Sequence, residues 1–398
     1  MPATAPAPPS PPAAGAPPPP AAVAPPAAPA PAAGSAAAGG GEAIPAPASL
    51  EEIVRIAFER NHSDVHIGVG EEPRYRARGD MLRTGWPATD LSTFNGYLRE
   101  MLSPGQVDTF HREKEYDGAY AFPFVRVRIN LLDSLRGPAM VLRLIPQKIL
   151  SLEALNLPPV LKELCQRPKG LVLITGPTGS GKSTTLAAMI DWINHNMARH
   201  ILTIEDPVEF VHQSDMSLIR HREVGLNTKM FHHGLRAAMR EDPDVILIGE
   251  IRDQETLSTA LEASQTGHLV FGTLHTNSAV KSVERVLGFY PPEDQDNVRR
   301  ATSESLLAVI SQGLIKTNDG KRTGFHDIFI NTDACRDYIL RAELSEIEEI
   351  MARSAFDGMQ TINQALQGLV EKGLVSAEDA LAQSLRPNEL AMALRGKS

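Results

Sequence analysis

The chain has 398 residues, with 39 Lys and Arg against 48 Asp and Glu, a formal charge of −9. That length gives room for roughly two or three domains with a sizeable core, and the acidic balance argues against general nucleic-acid binding, which needs excess basic side chains to neutralise phosphates. Two distant cysteines, Cys165 and Cys335, exclude a disulfide framework and a cysteine-rich zinc site, and no stretch reaches the about 20 consecutive apolar residues that cross a bilayer.

Residues 1–48 hold 16 of the 31 prolines and 20 alanines, and Glu42 is their only charged side chain. With almost nothing large and apolar to bury, and prolines that lack the N–H of helices and sheets, they read as a disordered, polyproline-biased tail. The first basic residue is Arg55, so no signal peptide is expected, and the composition reads as a soluble protein of a reducing compartment. A short helix is predicted over 50–60, with Ser49 as its cap and Glu51 and Glu52 in its first turn. Strands follow over 64–68, 74–78 and 81–84, the last two joined by a Gly79-Asp80 turn, and then a helix over 90–102. Residues 124–131 alternate strictly, with Val125, Val127, Ile129 and Leu131 on one face and Arg126, Arg128 and Asn130 on the other. With a further strand over 139–144, residues 49–145 read as a small α+β domain, and residues 146–157 as a linker.

Beyond the linker, apolar runs alternate with helical stretches, the pattern of a parallel sheet covered on both faces. The runs are 171–175, 201–204, 245–248 and 269–273; the helices are expected over 183–196, 227–241, 253–265 and 279–287. A hairpin around Asp319-Gly320 joins 314–316 to 325–330. Residues 158–332 thus read as an α/β domain. Residues 333–398 are helical, with breaks near Asp357-Gly358, Gly373 and Pro387.

Gly176-Pro177-Thr178-Gly179-Ser180-Gly181-Lys182-Ser183 is a complete phosphate-binding loop, set between an apolar strand and a helix. Glycines let backbone N–H groups turn inward on the phosphates of ATP, and the helix N-terminus favours the same charge. Lys182 reaches the β- and γ-phosphates and Ser183 offers a hydroxyl to Mg²⁺; Thr184 follows in the first turn. In such a sheet the nucleotide lies at the carboxyl ends of the strands, and each of the other three runs delivers titratable residues there. These are Glu205-Asp206-Pro207-Val208-Glu209, Gly249-Glu250 and Leu274-His275-Thr276. Phosphoryl transfer needs a metal, an oriented water and cations on the developing charge. Glu250 is the candidate metal-linked carboxylate, and Glu205, Asp206 and Glu209 are candidates for the acid that activates water, which spacing does not rank. His275 is a candidate γ-phosphate sensor. Arg126 and Arg128 read either as arginine fingers acting on a neighbouring subunit or as an ordinary polar sheet face; His66 reads as structural.

Four boxes, GPTGSGKSTT over 176–185, ILTIEDPVEF over 201–210, EDPDVILIGEIRD over 241–253 and GHLVFGTLHT over 267–276, together resemble the PilT twitching-motility (retraction) family of secretion-superfamily ATPases. The resemblance spans roughly residues 50–370. It implies a RecA-like P-loop ATPase domain preceded by a smaller PAS-like domain, assembled as a homo-hexameric ring that uses ATP and Mg²⁺. It matches Glu209 to the catalytic glutamate, Glu250 to the metal-linked one, and Arg126 and Arg128 to arginines that reach the γ-phosphate across the subunit interface. It further implies a cytoplasmic motor at the inner membrane, acting on the cytoplasmic face of the pilus platform protein, with no nucleic acid and no transmembrane segment. One stretch departs: retraction members carry AIRNLIRE where residues 334–341 read ACRDYILR, so Ala334, Arg336 and Ile339 agree. An accessory PilU-type ATPase is one alternative. Assembly and type II secretion relatives are another, though they usually carry a four-cysteine zinc insertion that two distant cysteines cannot form. A nucleotide-binding scaffold without turnover and a DNA-translocating P-loop ATPase complete the alternatives.

Overall fold

The computed structural model describes residues 47–77, 79–145 and 148–396. The expected tail over 1–48 lies outside them except for its last two residues, as do Pro146 and Gln147 of the expected linker. Chain order begins with α1 (Leu50–Glu59), β1 (Asp64–Gly68), β2 (Arg74–Ala77), β3 (Asp80–Arg83), α2 (Leu91–Met101), α3 (Pro104–Glu113), β4 (Glu115–Ala121), β5 (Arg126–Ser134) and β6 (Gly137–Ile145). Ser49 caps α1 as its position predicts, its hydroxyl accepting the Glu52 N–H. The strands form an antiparallel sheet in the order β3-β2-β1-β6-β5-β4. The alternation along β5 does what it predicts: Val127, Ile129 and Leu131 join Leu50, Phe94 and Leu98 in one core, leaving Arg126 and Arg128 on the other face. Helix α3 and strand β4 go unread in the sequence. Pro104-Gly105 looks like a turn, yet proline is tolerated in a helix's first turn, and Ser103 and Gln106 close a capping box around it.

The chain continues through α4 (Val160–Cys165), β7 (Gly170–Thr175), α5 (Lys182–Asn196), β8 (His200–Glu205), β9 (Leu218–Glu223), α6 (Phe231–Ala238), β10 (Val245–Ile248), α7 (Gln254–Gln265), β11 (Leu269–Leu274), α8 (Ala279–Leu287), α9 (Gln295–Ser305), β12 (Leu306–Lys316) and β13 (Arg322–Ile330). A seven-stranded sheet runs β13-β12-β7-β11-β10-β8-β9. It is parallel from β12 to β9, with β13 antiparallel at one edge. Its two faces carry separate cores: Leu171 and Leu173 belong to one, Val172 and Ile174 to the other. Helix α6 is shorter than expected, because Asn227 folds back on Glu223, donating its N–H to the Glu223 carbonyl and accepting the Glu223 N–H on its side chain. Helix α4, strand β9 and helix α9 are the other elements not foreseen, and β12 begins at Leu306, well before the expected 314.

The remaining helices are α10 (Asp333–Arg341), α11 (Leu344–Arg353), α12 (Ile362–Glu371), α13 (Ala377–Gln383) and α14 (Pro387–Arg395). Asp357-Gly358 and Gly373 fall between helices, and Pro387 opens α14 after the break that follows α13. Leu366, Ala380 and Leu390 pack with Ile315 and Phe325, fastening this region to the β12–β13 edge. Among the described residues no helix is long and apolar enough to cross a membrane.

Candidate active site

The loop between β7 and α5 holds the phosphate-binding residues. Gly176 and Gly181 have φ of 142° and 90°, a region where side chains are strained. A Cβ at Gly176 would also strike the Gln312 carbonyl, and one at Gly181 would lie 2.8 Å from the Gln312 amide nitrogen. Thr178 and Gly179 are exposed, Ser180 is buried, and Ser183 and Thr184 are half-buried in the first turn of α5. The Ser180 hydroxyl oxygen is buried without a hydrogen-bond partner. Lys182 Nζ donates to the Gly176 and Pro177 carbonyls at 2.9 and 3.1 Å. Burial lowers the Lys182 pKa, and the nearby Glu250 and Glu209 charges only partly offset that shift.

Ser183, Glu205, Asp206, Glu209 and Glu250 line one cleft, at the carboxyl ends of β8 and β10 beside the loop. Parallel pairing of β8 with β10 and of β10 with β11 brings these strand ends level. Glu250 Oε1 lies 3.1 Å from His275 Nε2 and Glu250 Oε2 lies 2.6 Å from an Arg252 nitrogen. Burial pushes the Glu250 carboxyl up, but the Arg252 hydrogen bond and the Arg252, His275 and Lys182 charges together hold it below its ordinary range. The three unranked acids differ in setting. Glu205 is half-buried and accepts the Glu209 backbone N–H at 3.3 Å, whereas Asp206 and Glu209 are exposed at the cleft.

Arg126 and Arg128 are not gathered into this cleft. Arg126 pairs within its own chain with Glu223, Nη2 to Oε2 at 2.7 Å, and Arg128 stands 4.0 Å from Asp117 on the first sheet. Several contributors went unread in the sequence. Gln312 Nε2 donates to the Ser180 carbonyl and its Oε1 accepts from the Thr185 hydroxyl, both at 2.7 Å. Its only sequence signal is a polar side chain inside an apolar run. Arg252 lies within the third box but two residues from the acid it holds, and Glu223 lies on the unread strand β9.

A mostly parallel sheet with a phosphate loop after one strand and acids converging from its neighbours defines a P-loop ATPase. The chain belongs to the type II/IV secretion system protein family, whose model matches residues 42–373. It is 43% identical over 339 residues to the type IV pilus retraction ATPase PilT of Pseudomonas aeruginosa, covering 85% of this chain and 98% of that one. It is 46% identical over 310 residues to a twitching motility protein of Neisseria gonorrhoeae, covering 77% of this chain and 83% of that one. A crystal structure of the pilus retraction motor PilT with bound ADP aligns with a TM-score of 0.82 at 40% identity, covering 86% of this chain and 99% of that one.

Proposed function

We propose that this chain is an ATP-driven motor that retracts type IV pili, working as a homo-hexameric ring on the cytoplasmic face of the inner-membrane platform protein. The observation that carries this reading is the meeting of Ser183, Glu209 and Glu250 in one cleft beside Lys182, in a chain similar along its length to a pilus retraction ATPase. In this reading residues 49–145 form a PAS-like domain, 158–332 a RecA-like domain and 333–398 a helical region.

The residues suit a magnesium nucleotide. Mg²⁺ bound largely through phosphate oxygens and water needs only one or two protein ligands, and Ser183 and Glu250 share the cleft to supply them. The ion, when bound, neutralises charge developing on the phosphates. Residues 176–184 enclose the phosphates, and Lys182 exchanges its two carbonyl acceptors for β- and γ-oxygens. Glu209, exposed at the cleft, orients the attacking water and takes its proton. His275, already on Glu250, reports the γ-phosphate, and Arg126 and Arg128 serve a neighbouring subunit's site.

The test is deletion of the gene followed by complementation. Loss should give excess surface pili and no twitching, restored by the natural gene and not by Lys182→Ala. Purified Lys182→Ala and Glu250→Ala should assemble normally, with phosphate release lowered by about 10²-fold or more. Bald cells on deletion, or normal turnover in either variant, would remove the reading.

A further inference from the structure

Glu223 closes strand β9, at the edge of the second sheet, and is only 3% exposed. Its Oε2 is approached from two directions. The Val208 backbone N–H donates to it at 3.1 Å, and Arg126 Nη2 donates to it at 2.7 Å. Val208 directly precedes Glu209, and Arg126 opens β5 of the first sheet. Two residues earlier on β9, His221 grips the far end of the same loop: its Nε2 accepts the His212 N–H at 3.1 Å. Nδ1 must therefore carry the ring proton, and it donates to the Thr203 hydroxyl at 2.8 Å. Residues 208–212 are thus held at both ends by side chains of one edge strand, and one of those holds is shared with the first sheet.

We propose that Glu223 is a positioning residue that ties the setting of Glu209 to the seating of the first sheet through Arg126. This rests on the reading of Glu209 as the acid that activates water. A buried carboxylate is tolerated when a cation and a hydrogen-bond donor share it, and it is driven to move when the cation leaves. If Arg126 withdraws, Glu223 turns away from its site, Val208 loses its acceptor, and Glu209, one residue on, shifts with it. Displacements of about 1 Å in a reacting group are enough to slow chemistry strongly. Arg126 cannot hold Glu223 and serve a neighbouring subunit at once. Each subunit therefore alternates between a set loop of its own and an arginine lent to the next.

The test uses the full-length protein in two ways. In hydrogen exchange without nucleotide, Glu223→Ala and Arg126→Ala should each speed exchange in peptides spanning 206–212 by tenfold or more, leaving peptides of the phosphate loop unchanged. In steady-state hydrolysis, Glu223→Ala should lower kcat at least tenfold with KM for ATP within twofold. The milder Glu223→Gln keeps an acceptor for Val208 but no charge for Arg126; it should lower kcat two- to fivefold, and it decides the matter if the alanine variant does not fold. Unchanged exchange over 206–212 in Arg126→Ala overturns the link, as does a kcat for Glu223→Ala within twofold of the natural protein. A rise in KM matching the fall in kcat also overturns it. A natural protein that releases no phosphate would instead refute the motor reading, leaving the exchange result to judge the contact itself.

Discussion

The Gln312 side-chain amide supports the phosphate loop, donating to the Ser180 carbonyl and accepting from the Thr185 hydroxyl, while the Gln312 backbone carbonyl closes on Gly176. Removing the side chain leaves a buried carbonyl and a buried hydroxyl without partners, which costs about 1 kcal/mol or more each. Gln312→Ala should therefore weaken nucleotide binding by about 2 kcal/mol, roughly thirtyfold in Kd, while kcat changes less, because the acids of the cleft are untouched. Calorimetric titration with ADP measures it, and an affinity within threefold of the natural protein would show that the loop holds its shape unaided. The loop itself was legible, since each of its residues has a local reason to be there. Gln312 was not, because its role exists only once β12 lies beside β7, a fact of topology that no window of sequence carries.

Elements divide in the same way. The parallel strands β7, β8, β10 and β11 were read from unbroken apolar runs, since burial on both faces leaves no polar alternation. Strand β9 escaped because its sequence, LIRHRE, serves an edge: Arg220 is exposed, His221 and Arg222 are half-buried, and Glu223 turns inward for a bond rather than for packing. Helix α9 escaped because it buries Val298 with Thr302, Ser303 and Ser305 rather than an apolar stripe. Strand β13 shows what an element can do besides pack. Its Asp327 accepts the N–H of Ala279, the first residue of α8, at 2.8 Å. Burial pushes the Asp327 carboxyl up to about 6 from an ordinary 3.8. The folded chain thus holds this proton more tightly than the unfolded one, and the stability it contributes is full below about pH 3.8 and lost as pH rises through 6. Its neighbour His326 runs the other way, pushed down by burial to about 4, so its share is lost as pH falls from 6.5 toward 4. Asp327→Asn keeps an acceptor for α8 and removes the charge. Relative to the natural chain it should gain about 2 kcal/mol more at pH 7.5 than at pH 4.5, read by urea unfolding. An equal change at the two pH values would show that the carboxyl titrates normally.

At the scale of the whole molecule, the sheet's alternation binds two helical layers into one unit. Along β7, Leu171 and Leu173 face the layer containing α7, α8 and α10, while Val172 and Ile174 face the layer of α4 and α5. The apolar runs announced that both faces would be covered, but which helix covers which face depends on crossovers that leave no local mark. The two cysteines report on the outcome. Cys335 of α10 sits in one layer and Cys165 of α4 in the other, and both are buried. Burial pushes the Cys165 thiol up to about 12 and raises that of Cys335 as well, so neither presents a thiolate in the folded chain. Because β7, β8, β10, β11, β12 and β13 each give residues to both cores, neither layer can leave without exposing apolar surface on strands the other still needs. Pulse alkylation along a urea series, resolved by mass spectrometry, should therefore find both thiols unreactive at first and becoming reactive at the same midpoint. If Cys335 were labelled at clearly lower urea than Cys165, the layer of α10 would be a separate cooperative unit, and motions of the C-terminal helices would not have to pass through the sheet that carries the phosphate loop.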